Sequence, residues 1–309
     1  MRAAFRRTLV DLAANDPRIV LLTGDLGFTV LEPFAERFPA RFFNVGVAEQ
    51  DMIGIATGLA EAGYIPYVYS IATFAALRPY EFIRNGPVLH QLPVRIAGVG
   101  GGFEYGHAGP THHGLEDIGV LRLQPGLTLV CPADWRQAAH AIIATSTVPG
   151  PVYYRLGKDD HTIVPGLDGR FRLGGVEIVK RGDDLLMLSS GAITVDAAGA
   201  ARALAVGGIA TTLAVVSSFN PSPDDDLARL LARFAVVTTI EAHYVTGGLG
   251  SLVAEIVAER GLRCRLVRVG VRDMPRGVSG SQGYLQQLHG ISSASIVNTV
   301  RLALGQEVQ

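Results

Sequence analysis

Short runs of leucine-type and β-branched residues recur along this chain, each too brief for a helix and most followed by a helical pattern. Residues 18–23, 42–47, 65–70, 94–99, 127–131 and 152–156 are the first six of these runs. Continuous apolar stretches of that length read as strands buried on both faces, and strands separated by helices pair in parallel. The alternation stops at residues 157–175, which are rich in Asp, Gly and Pro and lack periodicity, and resumes at 185–191, 210–216, 235–240 and 264–269. The chain therefore reads as two consecutive α/β domains, each a mostly parallel sheet flanked by helices. Their expected bounds are residues 1–157 and 176–309, joined by a linker at 158–175. A length of 309 residues agrees with two domains. In such sheets ligands gather at the loops beyond the carboxyl ends of the strands.

Composition narrows the function classes. A formal charge of −1 gives no reason to expect nucleic acid or an anionic membrane as a partner. No apolar run reaches the roughly 18 residues of a membrane span. Cys131 and Cys264 both lie in apolar strand-like runs, which suggests buried thiols and no disulfide framework, and no cysteine or histidine spacing suits a metal. The arginine-rich start carries Phe5, Leu9, Leu12 and Ala13 on one helical stripe, so it reads as part of the fold and points to a cytoplasmic protein.

Chemistry concentrates at three places that follow strands. The first is Asn44-Val45-Gly46-Val47-Ala48-Glu49-Gln50, where an extended run meets a helix and Glu49 falls in its first turn. Position alone allows a capping acid favoured by the helix dipole. In that helix Gly54, Gly58 and Ala62 recur at i, i+4 and i+8, leaving a face nearly free of side chain on which another backbone can come close. The second place is Tyr67-Val68-Tyr69-Ser70-Ile71-Ala72-Thr73-Phe74, one strand later. The third is the glycine-rich loop ending Gly109-Pro110-Thr111-His112-His113-Gly114. An acid, an aromatic platform and a histidine loop on one sheet edge suit a flat heteroaromatic cofactor and a polar substrate.

In order and spacing these motifs resemble the transketolase family of thiamine-diphosphate enzymes. The resemblance runs from Phe5 to about Leu288 and includes Glu116-Asp117, Glu241-Ala242-His243 and Gly247-Gly248-Leu249-Gly250. It implies a pyrimidine-binding domain followed by a transketolase C-terminal domain. It implies that Glu49 hydrogen-bonds N1′ of the aminopyrimidine and promotes its imino tautomer, whose exocyclic nitrogen removes the C2 proton of the thiazolium. That role suggests a protonated carboxyl in an apolar site. Phe74 matches the aromatic that stacks on the pyrimidine, with Ile71 and Leu77 where relatives carry further aromatics. His112 matches the histidine beside the substrate carbonyl, where it stabilises an oxyanion or moves protons. Asp25 stands where relatives carry a cofactor-proximal or interface acid, His107 and His113 are further substrate-loop candidates, and Arg155 corresponds to an anion-binding arginine. Glu241 and His243 belong to a structural signature.

Departures from the family pattern bear on substrate and assembly. Ala108 replaces an Asp that reads a sugar hydroxyl, and Gly100 stands where many transketolases place a phosphate-contacting histidine. A modified, unphosphorylated or carboxylated substrate is therefore as admissible as a ketopentose phosphate. The family's Gly-Asp-Gly motif for diphosphate and Mg2+ is absent from the sequence. The resemblance thus implies a split enzyme, with a separate N-terminal-half subunit supplying the diphosphate and metal ligands in an α2β2 assembly, and with the small-residue helix face near its centre. The expected reaction is transfer of a two-carbon ketol unit from a sugar-like ketose to an aldehyde. The alternatives are a 2-oxo-acid dehydrogenase β subunit, a deoxyxylulose-phosphate-synthase-like carboligase, and a non-catalytic scaffold.

Overall fold

The computed structural model describes residues 1–306, and it folds the strand runs into two sheets. The strands of the first half are β1 (Ile19–Thr23), β2 (Phe42–Asn44), β3 (Ile65–Ile71), β4 (Arg95–Val99), β5 (Thr128–Val130) and β6 (Val152–Leu156). Those of the second are β7 (Val176–Lys180), β8 (Leu185–Ser190), β9 (Thr211–Val216), β10 (Ser218–Asn220), β11 (Val236–Tyr244) and β12 (Arg265–Val271). The first sheet has the order β10-β5-β6-β4-β3-β1-β2, and the second β12-β11-β8-β9-β7. All pairings are parallel except β10 with β5 and β7 with β9, both at sheet edges. Every residue of β1, β4, β6, β8 and β9 is buried, Arg95 and Arg155 included, as strands covered by helices on both faces require.

The two halves share more than a linker. Edge strand β10 comes from the second half, yet it pairs with β5 of the first, Ser218 opposite Val130. One apolar cluster joins Ile118 and Leu129 to Leu188, Phe219 and Leu249. Residues 157–175 contain no helix or strand, but Val164 and Leu167 are buried against Ala133 and Val215. Asp134 organises this corner, since one carboxylate oxygen caps the helix Trp135–Thr145 at Gln137 N–H and the other accepts from Val164 N–H.

Two expectations change, the helix after β3 and the burial of Cys264. The helical pattern after β3, which from sequence reads as one helix over roughly residues 74–89, is divided into Ala72–Leu77, Tyr80–Ile83 and a π-type turn Arg84–Val88. Pro79 and Pro87 have no N–H to donate and break the ladder. The Gly54, Gly58 and Ala62 face of the helix Glu49–Glu61 is not packed within the chain. A Cβ on Gly54 would meet only the Phe82 ring at 3.6 Å, and one on Gly58 would meet nothing within 4 Å. The helix instead buries Met52, Ile53, Ala56 and Ala60. Cys131 is buried as expected of a strand-end thiol, whereas Cys264 is half-buried just before β12, and neither forms a disulfide.

Candidate functional site

β2, β1 and β3 end side by side, and the segments that leave them converge on Glu49. Beyond β2 the chain turns through Gly46 at φ +76°, a left-handed conformation that side chains resist. Asn44 holds the turn. Its Oδ1 accepts from the N–H groups of Gly46 and Asp25 at 3.0 Å each, and its Nδ2 donates to Asp25 Oδ1 at 2.9 Å. Asp25 is therefore an exposed residue fastened to Asn44 beside the turn. Ala48 is the N-cap and offers no side-chain cap, so Glu49 becomes the first residue of its helix.

Glu49 is 2% exposed, and neither carboxylate oxygen caps its own helix. Oε1 accepts from Ser70 Oγ, in β3, at 2.8 Å, and Oε2 accepts from Arg78 Nη1 at 2.7 Å. A Cβ on Gly24 would lie 3.5 Å from Oε1, so the end of β1 also closes on the acid. The expected apolar setting is corrected here: the carboxyl is buried, but a hydroxyl and a guanidinium hold its two oxygens.

Beyond Ser70, Ile71 ends β3 half-buried and starts the helix Ala72–Leu77. Phe74 and Arg78 are four residues apart, a spacing that brings helical side chains together. Arg78 keeps helical dihedrals as the C-cap, and its guanidinium carbon lies 3.9 Å over the centroid of the Phe74 ring. The His112 ring meets Phe74 edge-on, with centroids 5.0 Å apart. Glu49, Arg78, Phe74 and His112 thus form one contiguous row.

His112 reaches that row from the loop after β4. Gly102 and Gly114 pair their backbones across the loop's base, at 2.7 and 3.0 Å. Gly109, at φ 83° and ψ −175°, occupies a region essentially restricted to glycine and turns the chain into Pro110–His112. Thr111 Oγ1 lies 3.0 Å from His112 Nδ1. His107 is exposed on the preceding turn Gly106–Ala108. His113 points the other way: it is 3% exposed with its ring edge-on to Phe103, and burial pushes its pKa down.

Arg155 does not join the row. It is a β6 residue, 5% exposed, whose Nε donates to both oxygens of Asp117 and whose Nη2 donates to the carbonyls of Gly114 and Ala242. The geometry gives it a positioning task in place of the expected anion contact: it clamps the end of the histidine loop onto β11. Two neighbours complete this junction. Glu241 accepts from Leu249 N–H and Gly250 N–H at the start of the helix Leu249–Glu259, and burial raises its pKa to about 7. His243 Nδ1 lies 2.7 Å from the Tyr244 carbonyl, while Nε2 accepts from Gly119 N–H at 3.1 Å. This arrangement needs the neutral ring, and burial lowers its pKa to about 4.

Sequence reasoning missed Ser70 and Arg78. Ser70 carried no signal beyond its place at the end of a strand, but the Phe74/Arg78 spacing was readable. Among the described residues no group of three or more His, Cys, Asp or Glu side chains is placed to hold a metal ion.

Known proteins place this geometry in a family. A model of the transketolase pyrimidine-binding domain matches residues 1–162, and one of the transketolase C-terminal domain matches residues 174–296. A putative transketolase C-terminal section from Methanocaldococcus jannaschii is 34% identical, covering 99% of this chain and 97% of its own length. One of the subunits of an apulose-4-phosphate transketolase from Phocaeicola vulgatus is 34% identical, with 90% of each chain covered. Among solved structures, one described as a split gene transketolase, inactive beta4 tetramer, superposes with a TM-score of 0.87 at 35% identity, covering 99% of this chain and 98% of its own. With both domain types in order and relatives matched end to end, this chain belongs to the transketolase family.

Proposed function

We propose that this chain is the subunit of a split, thiamine-diphosphate-dependent transketolase that supplies the pyrimidine end of the active site. The observation that carries the reading is the buried Glu49 carboxyl in one row with the Phe74 ring and His112 at the strand ends. The residues fit the aminopyrimidine half of the cofactor. The Arg78 guanidinium, hydrogen-bonded to Glu49 and lying over the Phe74 ring, supports a fit to a planar nitrogen-rich group. Thiamine diphosphate, when bound, supplies the carbon nucleophile that carries the two-carbon unit.

Glu49 meets the pyrimidine ring nitrogen and holds or yields a proton there, with Ser70 fixing the orientation of its carboxyl. Phe74 offers its ring face as the stacking surface, and Ile71 at the end of β3 adds an aliphatic wall. His112, on the far edge of Phe74, stabilises or protonates the substrate oxygen. Asp25 and His107 are exposed on the surface that a partner or substrate reaches. A second chain carrying the diphosphate domain and its Mg2+ ligands completes the site, in an α2β2 assembly located in the cytoplasm.

Co-expression with such a chain, followed by incubation with ketose donors and aldehyde acceptors, tests the reading. Products two carbons longer than the acceptor, formed only with thiamine diphosphate and both chains, are expected. No such product from the ketoses, together with release of CO2 and acylation of a thiol carrier when a 2-oxo acid and a lipoyl-type carrier are offered in their place, would contradict it.

A further inference from the structure

Arg78 makes the two contacts that the proposed function reserves for the cofactor. Its Nη1 donates to Glu49 Oε2 at 2.7 Å, and its guanidinium lies over the Phe74 ring at 3.9 Å from the centroid. A guanidinium and an N1′-protonated 4-aminopyrimidine are both flat, both donate an N–H to a carboxylate from an N–C–N edge, and both stack on aromatic rings. One carboxylate oxygen and one ring face cannot serve both groups at once. We propose that Arg78 is a placeholder for the aminopyrimidine: it holds Glu49 and covers Phe74 until the cofactor displaces it. This inference rests on the reading that Glu49 and Phe74 receive the pyrimidine.

The energetics of burial favour such an exchange. Glu49 has a side-chain exposure of 1%, whereas that of Arg78 is 44%. A buried carboxylate left without partners is strongly disfavoured, so the acid needs Arg78 while nothing else is bound. The Arg78 side chain as a whole is nearly half exposed and gains hydration as it leaves, so the mobile member of the pair is Arg78. It is the C-cap of the six-residue helix Ala72–Leu77 and is followed by Pro79 and the short helix Tyr80–Ile83, so it sits at a break between two helices. Ser70 keeps its bond to Oε1 throughout, which leaves the carboxyl oriented for the incoming ring.

An occupied subsite lowers apparent affinity by the fraction of molecules in which it is open. In the reconstituted two-chain complex with Mg2+, thiamine diphosphate is titrated by calorimetry and its binding rate followed by stopped flow. Arg78→Ala should bind roughly tenfold more tightly and associate faster than the wild type. Arg78→Lys keeps a cation beside Glu49, guarding against misfolding, but has no flat group to cover Phe74, so it should fall between the two. Unchanged or weaker binding in Arg78→Lys, or in a folded Arg78→Ala, would overturn the placeholder. Deuterium exchange at the cofactor's C2, measured at saturating cofactor, reports Glu49 separately. If Glu49→Gln retains fast exchange, the pyrimidine-site reading itself has failed; if exchange is lost but Arg78 variants bind like wild type, only the placeholder has.

Discussion

Glu49 illustrates how a residue's surroundings, and not its position in a helix, decide its use. A first-turn carboxyl ordinarily caps backbone N–H groups, yet both oxygens of Glu49 face side chains delivered by β3 and the helix after it. Its burial was foreseeable from the junction of an apolar strand with a small-residue helix; its polar partners were not, because Ser70 and Arg78 meet it through tertiary packing across 21 and 29 residues of sequence. His112 is the other residue whose removal separates chemistry from binding. It touches Phe74 but not Glu49's partners, so His112→Ala should lower kcat by roughly 10²–10⁴-fold while exchange at C2 of the bound cofactor stays fast. Steady-state kinetics beside the exchange measurement checks this, and loss of both together would assign His112 to cofactor activation.

At the level of elements, the two halves are fastened where β11 meets the short helix Asp117–Leu121. His243 contributes there as a neutral ring that accepts from Gly119 N–H. Its pKa is about 4 in the folded chain against an ordinary value of 6.5. Between those values the unfolded chain binds more protons, so its share of stability is complete above about pH 6.5 and is lost as pH falls towards 4, at up to about 1.4 kcal/mol per pH unit. Glu241 runs the opposite way: raised from 4.5 to about 7, it favours the folded chain at low pH and loses that share as pH rises through 7. The difference between wild type and His243→Gln isolates the histidine, because glutamine can keep both hydrogen bonds without titrating. Urea unfolding from pH 4 to 7 should show that difference falling with decreasing pH, and a flat difference would contradict a neutral buried His243. The strands were legible because double-sided burial leaves continuous apolar runs, and β6 matches its expected bounds at Val152–Leu156. The return of β10 to the first sheet was not, since a three-residue edge strand carries no periodicity and its pairing is set by a contact across 88 residues, from Val130 to Ser218.

The whole molecule presents a half-site beside an unpacked helix face. Gly58 has open space where a side chain would stand, and Ile55, one turn earlier on the same helix, is 37% exposed. A Cβ added at Gly58 meets nothing within 4 Å in the chain, so Gly58→Leu should leave its melting temperature close to wild type while lowering the mass of the assembly seen by light scattering. Unchanged assembly would place the interface elsewhere. In the proposed split enzyme this chain contributes the cofactor-activating acid and another chain the diphosphate end. Exchange of the C2 proton of thiamine diphosphate into deuterium oxide, followed by NMR, tests this division between the chains. Fast exchange is predicted with both chains and wild-type Glu49, falling to the rate of free cofactor with this chain alone or with Glu49→Gln in the complex. Fast exchange with this chain alone, or undiminished exchange in the Glu49→Gln complex, would contradict it.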